Sequence, residues 1–328
     1  EQGVGLYLDG VYLARSAGSV FEMMDLERIE VLRGPQGTLF GRNTIGGAIQ
    51  FVSRKPSDDM GVTAKAGFGR FNEWYVKGRV DTGYIVGDVL KASISAQHRD
   101  SHGYIDNTLT PSSKDPGAIR ANSVAVGLQA DLGDITVNYN FDWDRRSGTP
   151  GFFQVVAATP LAQDFFSRSP SLGGAPFLVS PIRQGTVQQA GFTDRNGDYR
   201  YTSTTEVQGH SLTIAYEATP ELTIKSITGY RKFFQDTILN LSGNGVLKGR
   251  VIDFTSPTLT SVQTVVPYTG NNAPQKQWQF SQELQALGKV GDLSFLFGMY
   301  YFYEKASEYN RQALTLTLPV AYLEQSLL

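Results

Sequence analysis

The chain has no cysteine, so neither a disulfide framework nor a thiolate metal site is available to it. No apolar run approaches the roughly 18 residues of a membrane helix, which leaves strands as the only means of crossing a bilayer. The opening EQGVGLYLDG has no basic start and no apolar segment, so it does not read as a secretory signal. Charge is scarce as well: 18% of residues are charged and the formal net charge is −2, giving no basic surface for nucleic acid. A nucleophile elbow, a P-loop and a dinucleotide fingerprint are all missing. His98, His102 and His210 lack the H-E-x-x-H spacing of a metal site. Without a catalytic constellation or a cofactor motif, an enzyme is not the expected reading.

What the chain has in quantity is aromatic residues and glycine. With 16 Tyr, 19 Phe and 35 Gly set against so few charges, β structure is favoured over helix bundles. From residue 61 onward, apolar and polar residues alternate with period two. In DITVNYNFDWD, Ile135, Val137, Tyr139, Phe141 and Trp143 alternate with Thr136, Asn138, Asn140, Asp142 and Asp144. QWQFSQELQAL does the same, setting Trp278, Phe280, Leu284 and Ala286 against glutamines, Ser281 and Glu283. Each such strand has one apolar and one polar face.

Strands are expected near 61–69, 73–81, 89–99, 121–132, 134–145, 206–218, 221–236, 277–288 and 292–306. From residue 100 the connections alternate between long (100–120, 146–205, 237–276) and tight (LGD, ATPE, GKVGD). That is an up-and-down meander, and strands of about 10–13 residues fit a tilted membrane barrel better than a soluble sheet. Aromatics near strand ends, including Trp74, Tyr139, Trp143, Tyr216, Tyr230, Trp278, Tyr301 and Tyr303, fit the girdles of such a barrel. The long connections are expected outside the cell. Nine strands would leave open edges in lipid, so the chain is expected to be an internal portion of a longer protein.

Residues before 57 follow another pattern. Short strand-like runs are separated by RGPQGTLFGRNTIGG, a connector rich in glycine and arginine. YLDGVYL followed by LERIEVLRGPQGTLFGRNTIGGAIQFVSRKP resembles the plug domain of TonB-dependent outer-membrane receptors, and the barrel-like strands that follow agree with it. The resemblance implies an α+β plug inside an antiparallel all-β barrel of about 22 strands in the outer membrane of a Gram-negative bacterium. Residues 1–56 would be the second half of the plug and 57–328 the first part of the barrel. The implied function is energy-coupled uptake of a scarce ligand, first of all a ferric siderophore. Oligosaccharide or cobalamin uptake, or a signalling receptor, are the alternatives. The implied partners are the TonB–ExbB–ExbD complex, outer-membrane lipid and the small ligand, with no nucleic acid and no resident cofactor.

Site residues follow from the same match. Phe40 stands where related receptors present an aromatic at a plug apex, with Gln36 and Asn43 beside it as possible donors to an oxygen-rich ligand. The competing role for Phe40 is packing of the plug against the wall. Arg33, Arg54 and Lys55 are expected to latch the plug to lumen-facing carboxylates, because a buried guanidinium needs a partner. Glu283 is the preferred partner, with Asp142, Asp144 and Glu304 as others. Asp194, Asn196 and Asp198 have the spacing that begins a calcium loop, but Tyr199 and Thr205 stand where Gly and Glu are needed, so an Asx-rich turn is expected instead.

Overall fold

The computed structural model describes residues 3–14, 25–41, 43–107, 115–149, 159–160, 186–187, 192–193, 199–200, 202–240, 246–252, 261–267 and 269–314. Arg42, Asp194, Asn196 and Asp198 lie outside these residues. Two sheets carry the described chain. The first is small: β1 (Val4–Leu8), β2 (Val11–Tyr12), β3 (Leu26–Arg33) and β4 (Gly47–Ser53) lie in the order β2-β1-β4-β3. A single helical turn, α1 (Gly37–Phe40), is set between β3 and β4.

β1 and β2 form a hairpin whose two-residue turn is Asp9-Gly10. Both turn residues have positive φ, 50° and 82°, and Leu8 pairs with Val11 across them. Asp-Gly is favoured there because this turn type needs a left-handed backbone at both positions. Tyr7, Tyr12 and Ala48 form the buried core of the small sheet, and Phe40 and Leu32 pack on it.

The second sheet is the wall. Its main path runs through β5 (Met60–Phe68), β6 (Trp74–Val86), β7 (Leu90–His102), β9 (Ala118–Leu132), β10 (Ile135–Gly148), β14 (Ser203–Thr219), β15 (Leu222–Asn240), β18 (Thr269–Val290) and β19 (Leu293–Glu308). Every neighbouring pair on this path is antiparallel. The remaining strands are short or lie in the long connections: β8 (Asp106–Asn107), β11 (Thr186–Val187), β12 (Phe192–Thr193), β13 (Tyr199–Arg200), β16 (Val246–Ile252), β17 (Ser261–Pro267) and β20 (Arg311–Leu314), the last paired with β18. β7, β10 and β15 all end at one edge of the meander, where the long connections begin; the turns after β6, β9, β14 and β18 sit at the other, while the short β5–β6 connection shares the first edge.

All nine segments expected from the alternation are strands of the wall, and several run further than expected. β15 continues to Asn240 and β18 begins at Thr269, where the sequence TGNNAPQK no longer alternates. Backbone pairing needs no apolar face, so the ladder goes on after the pattern that reveals it has stopped. Within the alternating region the two faces separate cleanly. On β18, Gln277, Gln279 and Ser281 are buried on the concave side, while Trp278 and Phe280 point the other way.

Candidate functional site

The small sheet sits against the concave face of the wall, and two adjacent rows of wall residues receive it. The register fixes the first row: Ser93 is opposite Gly127, then Asn140, Ser211, Gly229, Ser281 and Phe302 on successive strands. All but Asn140 and Phe302 are Gly or Ser. Small residues there let the hairpin tip approach closely. A Cβ on Gly229 would lie 2.5 Å from Val11 Cγ1 and 2.7 Å from Ser281 Oγ. Phe302 closes the row by packing edge-on against Tyr12, with ring centroids 5.9 Å apart, which joins the core of the small sheet to the wall.

Asp9, at the hairpin tip, is the polar contact of this row. Its carboxylate accepts from the Ser53 amide and hydroxyl, both at 2.8 Å, and from Asn140 Nδ2 at 3.1 Å. Burial pushes the Asp9 carboxyl above its ordinary range, against the Ser53 hydrogen bonds, which hold it down.

The second row, one inward position nearer the long connections, carries the charges. It runs Arg79, Ser95, Ala125, Asp142, Gly209, Arg231, Gln279 and Glu304. Arg79 is buried and uses its whole guanidinium. It reaches Asp25 at 3.0 Å, both oxygens of Asp81 at 2.6 and 2.7 Å, and the Lys55 carbonyl at 2.9 Å. Asp25 precedes β3, Lys55 follows β4 and Asp81 is on β6, so one side chain of the wall ties the shared end of the antiparallel β3–β4 pair to it. Nearer the turn end, the Lys91 ammonium binds Asp58 in the connection to the wall and holds that carboxyl below its ordinary range.

Gln279 works by shape instead of charge. Its Oε1 accepts from the Ala14 amide at 3.1 Å and its Nε2 donates to the Tyr12 carbonyl at 2.5 Å. The carboxamide thus pairs with the backbone after β2 as a neighbouring strand would, satisfying groups that would otherwise be buried unpaired.

Asp142 and Arg231 form a bidentate pair, both contacts at 2.8 Å, although they lie two strands apart. Gly209, between them on β14, makes this possible, since a Cβ there would overlap both the guanidinium and the carboxylate. Gly209→Ala is expected to pull the pair out of its two-bond geometry and cost about 1.5 kcal/mol, on the scale of one hydrogen bond to a charged group. The midpoint of heat-dependent mobility change in detergent measures it. An unchanged midpoint would mean that the pair adjusts without loss.

The residues singled out from sequence fall as follows. Phe40 is half-buried and stacks edge-on with Tyr7 at 5.0 Å, and its carbonyl accepts the Tyr7 hydroxyl at 2.5 Å. Gln36 bonds locally to the Arg33 carbonyl, and Asn43, at φ 64°, donates to the Tyr12 hydroxyl at 2.9 Å. Arg33 is exposed and has no carboxylate partner among the described residues, while Glu283 accepts from Gln285 at 2.6 Å, so the structure does not bring these two together. Arg54 approaches Asp25 at 3.7 Å, and Lys55 takes part through its carbonyl. Asp144 accepts from Ser123. Among the described residues the polarity of the latch is therefore the reverse of the expectation: the wall supplies the principal cation, Arg79, and the segment before β3 the carboxylate, Asp25. Arg79, Asp25, Asp9 and Gln279 were not singled out from sequence. Period two placed Gln279 on the polar face, but nothing in it marked which polar-face residues would meet a partner.

A cavity of about 560 Å³ opens beside this seat. It runs from Asp25 and Arg79 toward the long-connection end, past Lys65, Lys77, Tyr75, Glu73 and Arg99.

A meandering antiparallel wall with an apolar outer face, closed on its concave side by a small mixed sheet, is the architecture of a plugged outer-membrane barrel. Residues 1–48 match the family described as TonB-dependent Receptor Plug Domain. Residues 1–48 thus match a TonB-dependent receptor plug, and the strands that follow have the fold of the solved outer-membrane receptors. The chain is 32% identical over 98 residues to the catecholate siderophore receptor Fiu of Escherichia coli K12, a match spanning 30% of this chain and 12% of that receptor. Against the pesticin receptor of Yersinia pestis it is 33% identical over 93 residues, spanning 26% of this chain and 13% of the receptor. Among solved structures, the ferric yersiniabactin uptake receptor FyuA of Yersinia pestis superposes with a TM-score of 0.67 at 18% identity, covering 95% of this chain and 41% of that one. The siderophore receptor PiuA of Acinetobacter baumannii gives 0.64 at 16% identity, covering 92% and 38%.

Proposed function

We propose that this receptor takes up an anionic ferric siderophore across the outer membrane, driven through the TonB–ExbB–ExbD complex, and that it acts as a transporter and not as an enzyme. Iron enters here as cargo, and no resident metal is invoked. Names of the similar proteins support the siderophore reading, and the charge of the cavity carries it. Lys65 and Lys77 are directly opposite in the β5–β6 register, both facing inward, with Arg99 further along the same lining. Like charges set directly opposite are destabilising in a sheet. Asp25 lies 3.9 Å from Lys77 and Glu73 lies 3.1 Å from Arg99, while Lys65 has no carboxylate partner among the described residues. An anionic chelate entering the cavity turns that repulsion into attraction, whereas a neutral oligosaccharide would leave it in place.

The complete receptor should accordingly bind ferric catecholate or phenolate chelates and support growth on them as sole iron source. Lys65→Gln combined with Lys77→Gln is expected to weaken binding of such a chelate about tenfold, or ~1.4 kcal/mol, while the plug stays seated. Intact receptor that binds no ferric chelate would overturn the reading. Full binding in the double variant would overturn only the role of the lysines.

A further inference from the structure

Asp9, at the tip of the β1–β2 hairpin, is a carboxyl group set against the wall without a cation of its own. The charged groups that face it are Asp142 on β10, Arg231 on β15, Arg79 on β6, Asp25 before β3 and Arg54 after β4. Each cation among them serves another carboxylate: Asp142 holds Arg231 by two bonds, and Asp25 is approached by both Arg79 and Arg54. Among the described residues no ion pair at the seat includes Asp9. An ionised Asp9 would therefore bring an uncompensated negative charge into the seat, next to the carboxylate of Asp142.

The hydrogen-bond partners of Asp9 suit either protonation state. Its Oδ1 accepts from the Ser53 amide at 2.8 Å, a donor that cannot be reversed. Its Oδ2 faces the Ser53 hydroxyl at 2.8 Å and Asn140 Nδ2 at 3.1 Å. A hydroxyl accepts as readily as it donates, and a carboxamide turned over presents oxygen in place of nitrogen. A proton on Oδ2 thus finds an acceptor with no movement of the backbone. The tip itself is fixed, because Asp9 and Gly10 are both left-handed and the Asp9 amide donates to the Phe51 carbonyl at 3.0 Å. A cavity of about 30 Å³ beside Asp9, lined also by Ser93, Ser95 and Asp142, has room for one water, which gives the proton a way in and out. The upward push of burial on this carboxyl agrees with the geometry.

We propose that Asp9 is a proton-linked catch: seating of the hairpin tip takes one proton from water onto Oδ2, and withdrawal of the tip returns it. The sign follows from linkage. Once withdrawn, Asp9 titrates in the ordinary carboxylate range, and below that range the proton-linked share of seating stability is present in full. That share is lost as pH rises through the higher value of the seated group. Between the two values the seating equilibrium changes by up to about tenfold for each pH unit. An acidic medium holds the plug down, and a neutral one eases its release. The catch works in the same way whatever the cargo.

The test is the urea concentration at which the complete receptor begins to conduct in planar bilayers, followed from about pH 4.5 to about pH 8. For the intact receptor it should fall as pH rises. Asp9→Asn fills the seat with an uncharged group of the same shape. It should show no fall, and at neutral pH it should keep the value that the intact receptor has in acid. Glu283→Gln, away from the seat, should fall as the intact receptor does. Asn140→Asp sets a second carboxyl against Asp9 and should move the fall to higher pH, which decides the matter if Asp9→Asn fails to insert. A fall that persists in Asp9→Asn overturns the catch, because the titrating group then lies elsewhere. Easier opening of Asp9→Asn at every pH also overturns it, since the carboxylate would then be the seating form. So does an intact receptor that opens at the same urea concentration throughout, or an Asn140→Asp variant without the upward move.

Discussion

Arg79→Met is expected to unseat the plug. The guanidinium is buried and satisfies Asp25, Asp81 and the Lys55 carbonyl together, so its removal leaves Asp81 and the Lys55 carbonyl without their hydrogen-bonded cation and Asp25 with only the longer contacts to Arg54 and Lys77. Breaking a buried ion pair from one side costs on the order of 3–5 kcal/mol, more than the net worth of the pair, because the remaining charge is still desolvated. In the complete receptor this should appear as increased sensitivity to large hydrophilic antibiotics and as conductance in planar bilayers. Asp25→Asn should have a smaller effect, since Arg79 would keep Asp81 and the backbone contact. The R79M/D25N double variant should be less damaged than the sum of the singles, as expected for residues sharing one network. Leak and unfolding unchanged in Arg79→Met would show that the plug is held elsewhere and that this network is only local.

The second large effect is steric. Gly229→Leu puts a side chain where Val11 Cγ1 and Ser281 Oγ already lie within 3 Å of the new Cβ position. The wall cannot give way, because β15 is paired along its length on both sides. The hairpin tip must move instead. Overpacking of this kind costs about 3 kcal/mol, and here it acts against the seating of the plug more than against the barrel. Leak should rise while heat-modifiable barrel folding is retained. Val11→Gly in the same molecule should restore part of the seal. Failure of that rescue, with leak raised in Gly229→Leu, would place the damage within the wall and not at the hairpin tip.

The wall could be read in the sequence because a barrel strand exposes its two faces to different solvents, which writes period two into residues such as Ile135–Asp144. Hairpin order followed from the alternation of LGD and ATPE with long connections. The small sheet was recognisable from its motif, although GLYLDGVYL reads as one strand-like run and is in fact a hairpin turning at Asp9-Gly10. The seat was not legible, and the reason is geometric. Parity tells which face a side chain occupies, but not its height or its neighbour two strands away. Arg79 meets Asp25 across 54 positions, Arg231 meets Asp142 across 89, and Ala14 meets Gln279 across 265. Those meetings depend on register accumulated over several strands, and on Gly209 being empty enough for a pair to span it. Charge alone suggested plug arginines seeking wall carboxylates. Arg33 is on an exposed part of β3, and among the described residues the principal cation of the interface, Arg79, comes from the wall.

The row of Ser93, Gly127, Ser211, Gly229 and Ser281 has a mechanical consequence. A surface of Gly and Ser has little relief, so translation of the plug along the barrel axis meets interlocking side chains in that row only at Asn140 and Phe302. Resistance to displacement is concentrated in a few point attachments: Asp9 with Asn140, Asp25 with Arg79, and the backbone of Tyr12 and Ala14 with Gln279. A contact of this type behaves as a low-friction bearing with catches. Once the catches open, little further work is needed to slide, and re-seating requires only that they find their partners again.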